Sequence, residues 1–428
     1  MRRLYVSVEI EGRMREVGII EGDSEYSATF RYSDDYLAQD TARAISISMP
    51  LTDEPYGPEK TRSFFEGLLP EGFLRRTVAE NNRTDANDYL SILEMLGSEC
   101  LGAIQLRGEQ YTTAEPEYRE LDPDMMFRLA SEGATTSADL VVEAHLSLTG
   151  ASGKIGAYLA EDGKWYLPVG SAPSTHILKQ SHIRYDHVVE NEQLALQTAS
   201  LLGISIAESR IIMTGAQGDG GVLFATERYD RTLEDYENVI SGLPCPLRLH
   251  QEDFGQALGI AAADKYEKPG GGYMKQMFDL LRRRSAYPIE DQMKLWDIIV
   301  FHWLSGNTDG HVKNFSLVYD RHLNAVRLAP AYDILSTVVY DSHSRQMAFA
   351  IGGEIEWDRI GREQFERACD EIGLNRKIFM KRYDDLSASF GPALGTAVEK
   401  LAAEGFTGAE GLASRIMEHR REAGMQEG

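Results

Sequence analysis

Apolar and polar residues alternate at the amino terminus: Leu4, Val6, Val8 and Ile10 interleave with Tyr5, Ser7 and Glu9, the period of a strand with one buried face. Glu11-Gly12 then supplies a tight turn into a second apolar run, Met14–Ile20. From Ser63 to Glu80 the spacing turns helical, interrupted at Pro70-Glu71-Gly72. Asp85–Leu96 reads as a further helix, with Asp85 as N-cap and Gly97 as stop. Thr112–Asp124, with its Thr, Pro and acidic residues, is the expected linker. Between Val141 and Asp230 the pattern is strand-rich again, broken by a helix of about Val188–Leu202 that ends at Gly203. From Asp253 onward helical spacing dominates, over Asp291–Leu304, Arg362–Ile372, Arg376–Ser387, Pro392–Ala403 and Thr407–Ala423. The order is a β-rich piece, a strand-rich lobe and a helical lobe, with no internal repeat. An α+β chain of two or three domains is expected for 428 residues.

Charge narrows the function. The 67 acidic residues outnumber the 44 basic ones, for a net charge of −23. Such a surface repels phosphate backbones, which argues against an autonomous DNA binder. The cysteines, Cys100, Cys245 and Cys369, are scattered, which excludes a disulfide framework or Cys-rich zinc site and suits a reducing compartment. The start lacks an apolar signal-peptide core, and the longest nearly apolar stretch, Ile298–Leu304, is far too short to span a bilayer. A cytoplasmic protein with no membrane partner is expected.

The densest polar cluster, Ser305–Asn314, follows that apolar helix directly. Asp309 and Asn314 stand five residues apart with His311 and Lys313 between them. In phosphoryl transfer a carboxylate orients or deprotonates a hydroxyl while an amide oxygen at this separation helps hold Mg²⁺. An Asn/Gly/Asp turn is the plainer alternative for the first residues of the string. Asp333, 24 residues on and near the end of the strand-like run Leu328–Ile334, suits a second Mg²⁺ ligand or a helix cap. Upstream, Lys179 ends the strand-like Thr175–Lys179, and Glu192 follows on the next helix. That is the order of a phosphate-gripping lysine and its ion-pair partner, though isolated Lys–Glu pairs are mostly solvated charges.

Leu146–Gly156 is Gly-rich, yet a Walker A reading fails, because Leu148 and Ile155 stand where Gly and Ser/Thr are required. What remains is a turn able to present backbone N–H groups to phosphates, or a plain hairpin. Ala225–Arg231 closes the strand lobe where a hinge would meet an adenine; a structural strand end is the alternative.

Taken together, SFFEGLLPEG, GSECLGAIQL, STHILK, ENEQLALQTASLLGI, TERYDR, HQEDFGQALG, NTDGHVKNFSL and APAYDI occur in the order found in a known family. Over nearly its whole length the chain resembles the HipA serine/threonine kinases, toxins of HipBA toxin–antitoxin pairs. The resemblance implies a two-lobed, protein-kinase-like fold. Residues 1–110 would form an additional β-rich subdomain, 111–235 a strand-rich N-lobe and 236–428 a helical C-lobe. It implies ATP and Mg²⁺ as cofactors, with Asp309 as catalytic base, His311 and Lys313 in the catalytic loop, and Asn314 and Asp333 on the metal. Lys179 would grip ATP phosphates, Thr149, Gly150, Ala151, Ser152, Gly153 and Lys154 would form the phosphate loop, and Glu227 and Tyr229 would meet the adenine. Ser147 matches the family's autophosphorylated serine, and a phosphate there conflicts with ATP in the same pocket. The loop usually reads Gly-x-Gln-x-Lys; Ser152 in place of Gln makes a second candidate. The family also implies an aminoacyl-tRNA synthetase substrate, such as glutamyl-tRNA synthetase, with dormancy and persistence as outcome. Its partner would be a HipB-like helix-turn-helix antitoxin that carries the operator DNA contacts. A basic cluster, Arg376, Lys377, Lys381 and Arg382, would touch that DNA or form a solvated helix face. A small-molecule kinase of related fold and a co-repressor pseudokinase are the competing readings; the intact Asp309, Asn314 and Asp333 weigh against the second.

Overall fold

The computed structural model describes residues 2–109, 114–132, 136–137, 140–141, 153–181, 185–215, 219–234, 236 and 238–425. Two compact units emerge from interleaved segments. The first comprises Met1–His182, Ile212–Ala262 and Leu317–Val326; the second comprises Ile183–Ile211, Ala263–Ser316 and Arg327–Gly428. Among the described residues no helix is long and apolar enough to cross a membrane.

In the first unit, β1 (Arg2–Ile10), β2 (Arg13–Gly22), β3 (Thr29–Tyr32) and β4 (Ile104–Gly108) form an antiparallel sheet in the order β3-β2-β1-β4. The expected alternation holds, since Leu4, Val6 and Val8 are fully buried. Glu11 and Gly12 turn the hairpin with φ of 52° and 73°, a left-handed pair that only a Gly-containing turn adopts cheaply. Helices α1 (Pro58–Phe65) and α2 (Gly72–Asn81) flank the break at Pro70. The next helix, α3 (Tyr89–Leu96), starts later than its sequence suggests: Asp88, not Asp85, is the N-cap, accepting from Ser91 N at 3.1 Å. Asp85 instead accepts from Asn87 N at 2.8 Å, making a turn before the helix.

The expected linker is also partly wrong. Glu117–Glu120 is strand β5, and Pro123–Glu132 is helix α4. Strand β5 joins β6 (Lys154–Leu159), β7 (Trp165–Val169), β8 (His176–Gln180) and β9 (Val222–Glu227) in the order β5-β7-β6-β8-β9. One residue decides this: Tyr118 buries its ring 4.4 Å from that of Tyr158 and donates its hydroxyl to Pro173 O.

Several of the family-like strings turn out to grip one another. Glu99, from GSECLGAIQL, sits in a buried ionic cluster with Arg228 and Arg231 of TERYDR and with Arg248, at 3.1, 2.7 and 2.8 Å. Asp230 and Glu9 complete it, on Arg228 (2.8 Å) and Arg248 (3.1 Å). Burial pushes the Glu99 carboxyl up, but the three guanidinium groups outweigh it and hold it below the usual carboxylate range. Likewise Gln256 of HQEDFGQALG donates to Phe64 O of SFFEGLLPEG at 2.9 Å.

The second unit is built around α7. Its helices are α5 (Val188–Leu201), α6 (Tyr273–Arg284), α7 (Pro288–Ser305), α8 (Arg362–Ile372), α9 (Arg376–Ala403) and α10 (Gly408–Glu422). Trp296 of α7 meets Phe365 and Phe379 edge-on at 5.5 and 5.4 Å, and Trp303 stacks on Tyr383 at 5.6 Å. The two helices expected on either side of Pro392 are one, α9, with the proline inside it. A proline removes one helical hydrogen bond. The continuous apolar face, from Phe379 and Met380 through Phe390 and Leu394 to Leu401, is buried on both sides of it and outweighs that loss.

Candidate active site

Helix α7 hands over to the polar cluster at a fixed point. Gly306 closes it with φ of 69°, and a Cβ there would lie 2.2 Å from Val338 Cγ2, so no other residue fits. The last carbonyls of α7 are capped by distant side chains. Trp357 Nε1 donates to Trp303 O at 2.8 Å, and the buried Arg420 donates to Leu304 O at 2.9 Å while lying 4.7 Å over the Phe390 ring.

The following loop is tied by its own residues. Thr308 N donates to Thr337 Oγ1 at 2.8 Å, and Thr308 Oγ1 donates to Ser344 O at 2.8 Å. Asp309 N donates to the Asn307 side chain at 3.1 Å. Asn314 Nδ2 donates to Asp309 O at 3.1 Å, which fixes the amide so that its oxygen takes no hydrogen bond from a described residue. His311 and Lys313 are buried between them, and Tyr332 donates its hydroxyl to Lys313 O at 3.0 Å. The Asp309 carboxylate lines a cleft of about 410 Å³ with Tyr266, Thr308, His343, Ser344 and Gln346.

Asp333 departs from expectation. Leu328–Ile334 forms no strand over its second half, only an isolated parallel bridge between Ile206 and Ala331, and no helix follows for Asp333 to cap. Asp333 itself has φ of 56°, a left-handed conformation that Asp tolerates better than most residues. Its charge reaches Asp309. Burial pushes the Asp309 carboxyl up, the Tyr266 hydroxyl and Lys265 pull it down, and Asp333 raises it again. Two mutually repelling carboxyls suit a hard divalent cation. Among the described residues no group of three or more His, Cys, Asp or Glu has metal-holding geometry; Asn314 and Asp333 are the oxygen donors that the resemblance assigns to Mg²⁺, with phosphate and water expected to complete its shell.

Sequence reasoning missed the residue beneath the loop. His302 is buried, stacks on Phe315 at 5.2 Å, and neither ring nitrogen has a hydrogen-bond partner among the described residues. A Cβ at Gly310 would meet His302 Nδ1 at 1.9 Å. Gly310→Ala is therefore expected to displace the loop and, for the phosphate transfer that the resemblance implies, to cut turnover by about 100-fold, as misplacements near 1 Å do; unchanged turnover counts against this packing. Burial also drives His302 down to about 3. A base with a depressed folded value adds stability that is complete above its unfolded value near 6.5 and is lost as pH falls towards 3. His302→Phe should flatten the stability profile in that window in urea titrations, and a slope equal to wild type refutes it.

The first unit holds most of the remaining candidates. Lys154 and Lys179 are opposite one another on β6 and β8, both buried, and Phe224 is opposite Lys179 on β9. Lys179 Nζ lies 5.4 Å from the Phe224 ring centroid. Like charges directly across two strands are unfavourable by themselves. Glu227 is exposed at the end of β9, and Tyr229 beyond it donates its hydroxyl to Gln251. Their neighbours Arg228, Asp230 and Arg231 belong to the buried ionic cluster. Glu192 is buried on α5 in the second unit. Ser147, Thr149, Gly150, Ala151 and Ser152 lie outside the described residues. Of the basic cluster on α9, Arg376 pairs with Glu366, Lys381 with Asp385 at 2.6 Å and Arg382 with Asp297 at 2.6 Å. Three of the four are thus paired within the chain, Arg382 with a buried carboxylate.

Comparison with known proteins bears on this arrangement. Residues 146–393 match the model of the HipA-like C-terminal domain and residues 8–107 that of the HipA N-terminal domain. The "Putative kinase Y4mE" of Sinorhizobium fredii is 34% identical over 393 residues, covering 90% of each chain. The "Serine/threonine-protein kinase toxin HipA" of Shewanella oneidensis is 24% identical over 376 residues, covering 84% of this chain and 82% of the relative. A structure titled as the Shewanella oneidensis HipA, HipB and operator DNA complex aligns with a TM-score of 0.76 at 21% identity, over 97% of both chains. At that identity the likeness is one of fold: an α+β, kinase-like architecture with a β-rich amino-terminal portion and a helical carboxy-terminal one.

Proposed function

The chain belongs to the HipA family, and from that premise we propose that it is an ATP- and Mg²⁺-dependent serine/threonine protein kinase acting as the toxin of a cytoplasmic toxin–antitoxin pair. One observation carries the reading: Asn314 is hydrogen-bonded to the backbone of Asp309, so a cleft-lining carboxylate and an open amide oxygen are held as one rigid pair. In this reading Asp309 accepts the proton of the substrate hydroxyl, and burial of its carboxyl raises its basicity for that task. Bound Mg²⁺ would neutralise the developing charge on the transferred phosphoryl group. By the family's pattern, Asn314 and Asp333 would hold the cation, Lys179 and Lys154 would take the phosphates, and Glu227 and Tyr229 the adenine. His311 and Lys313 support the loop, and the Gly-rich segment from Thr149 to Lys154 covers the nucleotide.

The partner is a HipB-like helix-turn-helix antitoxin that supplies the positive charge an operator complex requires, since this chain carries −23. The substrate is an aminoacyl-tRNA synthetase, with glutamyl-tRNA synthetase first in line. Autophosphorylation at Ser147 or Ser152 switches the enzyme off, because a phosphate of charge near −2 would contend with those of ATP.

Incubation of purified protein with Mg²⁺-ATP, followed by intact mass and peptide mapping, tests this directly. A phosphate on Ser147 or Ser152 is expected, and transfer to a synthetase by protein not yet modified. A chain that binds ATP yet phosphorylates neither itself nor any synthetase is a scaffold, and the reading falls.

A further inference from the structure

Tyr266 stands 43 residues before Asp309, in no motif, yet its hydroxyl donates to Asp309 Oδ1. It is the hydrogen-bond donor the Asp309 carboxylate has among the described residues; the second oxygen, Oδ2, takes none from them. The delivery is rigid. The next residue, Glu267, is stapled from both its backbone and its side chain. Its N–H donates to Ala348 O at 2.8 Å, and its carboxylate accepts from Ala350 N at 2.8 Å and from Gly272 and Tyr273 N. The Tyr266 ring packs edge-on to His311 at 5.4 Å, with Lys265 Nζ 5.5 Å from its centroid. It remains 47% exposed and lines the cleft, so the contact is made at the mouth where an acceptor enters.

We propose that Tyr266 is a positioning residue for the catalytic base: it clamps one oxygen of Asp309 so that the other meets the substrate hydroxyl. The inference rests on the kinase reading above. A carboxylate free to spin presents the wrong oxygen or the wrong lone pair for much of its time, whereas a base held by a third group is pre-aligned. Tyr266 takes no proton and forms no bond in the reaction; it acts through Asp309.

Tyr266→Phe removes only the hydroxyl from a half-exposed ring, so the fold should hold. In steady-state phosphate transfer kcat is expected to fall between about tenfold and 100-fold, with KM for ATP and for the acceptor within about twofold of wild type. A kcat equal to wild type, or a loss carried by KM alone, overturns the proposal. A second readout needs no turnover. In protein labelled with carbon-13 at aspartate carboxyls, the Asp309 resonance, identified by its loss in Asp309→Asn, should move in Tyr266→Phe at constant pH. A resonance that stays in place overturns the clamp. Absence of transfer by the wild type, with the resonance shifted, would instead refute the kinase reading and leave the contact standing.

Discussion

Asp309→Asn is expected to take up no measurable phosphate from Mg²⁺-ATP under conditions where the wild type modifies itself, and to relieve any arrest of growth on expression. The substitution keeps the size of the side chain and leaves the backbone carbonyl that accepts from Asn314 in place, so the loop should persist. What is lost is the proton acceptor at the mouth of the cleft and the charge that Tyr266 and Lys265 face. General-base and electrostatic contributions together put the loss at about 10³-fold or more in transfer rate. ATP affinity, measured by titration calorimetry, should change little, because Lys154 and Lys179, the lysines proposed to grip the phosphates, are elsewhere in the chain. Two results would sink the assignment: transfer within about tenfold of wild type, or full retention of growth arrest by the variant. The second would also favour a protein that acts by binding its antitoxin alone.

The other large effect concerns stability rather than chemistry. Arg228 is buried and spends its guanidinium donors on Asp230 Oδ1 and Oδ2 (2.9 and 2.8 Å), Glu99 (3.1 Å), Ser174 Oγ (2.8 Å) and Cys100 O (3.0 Å). Arg228→Met removes one of the three buried cations that face Glu99, Asp230 and Glu9, and leaves Arg231 and Arg248 alone against three carboxylates. Breaking a buried ion pair from one side costs about 3–5 kcal/mol, far more than the pair contributes over an apolar replacement of both partners. Arg228→Lys should recover only part of this, since an ammonium cannot reproduce a planar fork of donors. Urea unfolding followed by fluorescence is the measurement. A midpoint equal to wild type for Arg228→Met would show that the carboxylates find other donors or water.

These two residues mark the boundary between what local sequence reveals and what it hides. Period-two alternation located β1, and helical spacing located α5 and α8, because each is decided by residues a turn or a pleat apart. The Asp309–Asn314 string was legible for the same reason, as a short loop whose chemistry and spacing coincide. Asp333 was found by residue type, but its left-handed backbone was not, because the strand-like run Leu328–Ile334 gives no sign that pairing stops at a single bridge. Tyr118 turned a polar, Pro-containing segment into an edge strand through one buried ring. The hidden part is long-range. Nothing near TERYDR says that its arginines answer Glu99, more than a hundred residues earlier, and nothing near Tyr266 says that it reaches Asp309.

The cap on α7 has a practical meaning for anyone trimming the chain. The family match to the helical portion ends at residue 393, inside α9, yet Arg420 closes Leu304 O from the last helix. A protein cut where that match ends would lose the last ten residues of one 28-residue helix, all of the next, and the donor that seals the carbonyl five residues before Asp309. The end of the family match and the end of the contacts that hold α7 are thus different places on this chain. The residues after 393 belong with the active loop in any fragment meant to work.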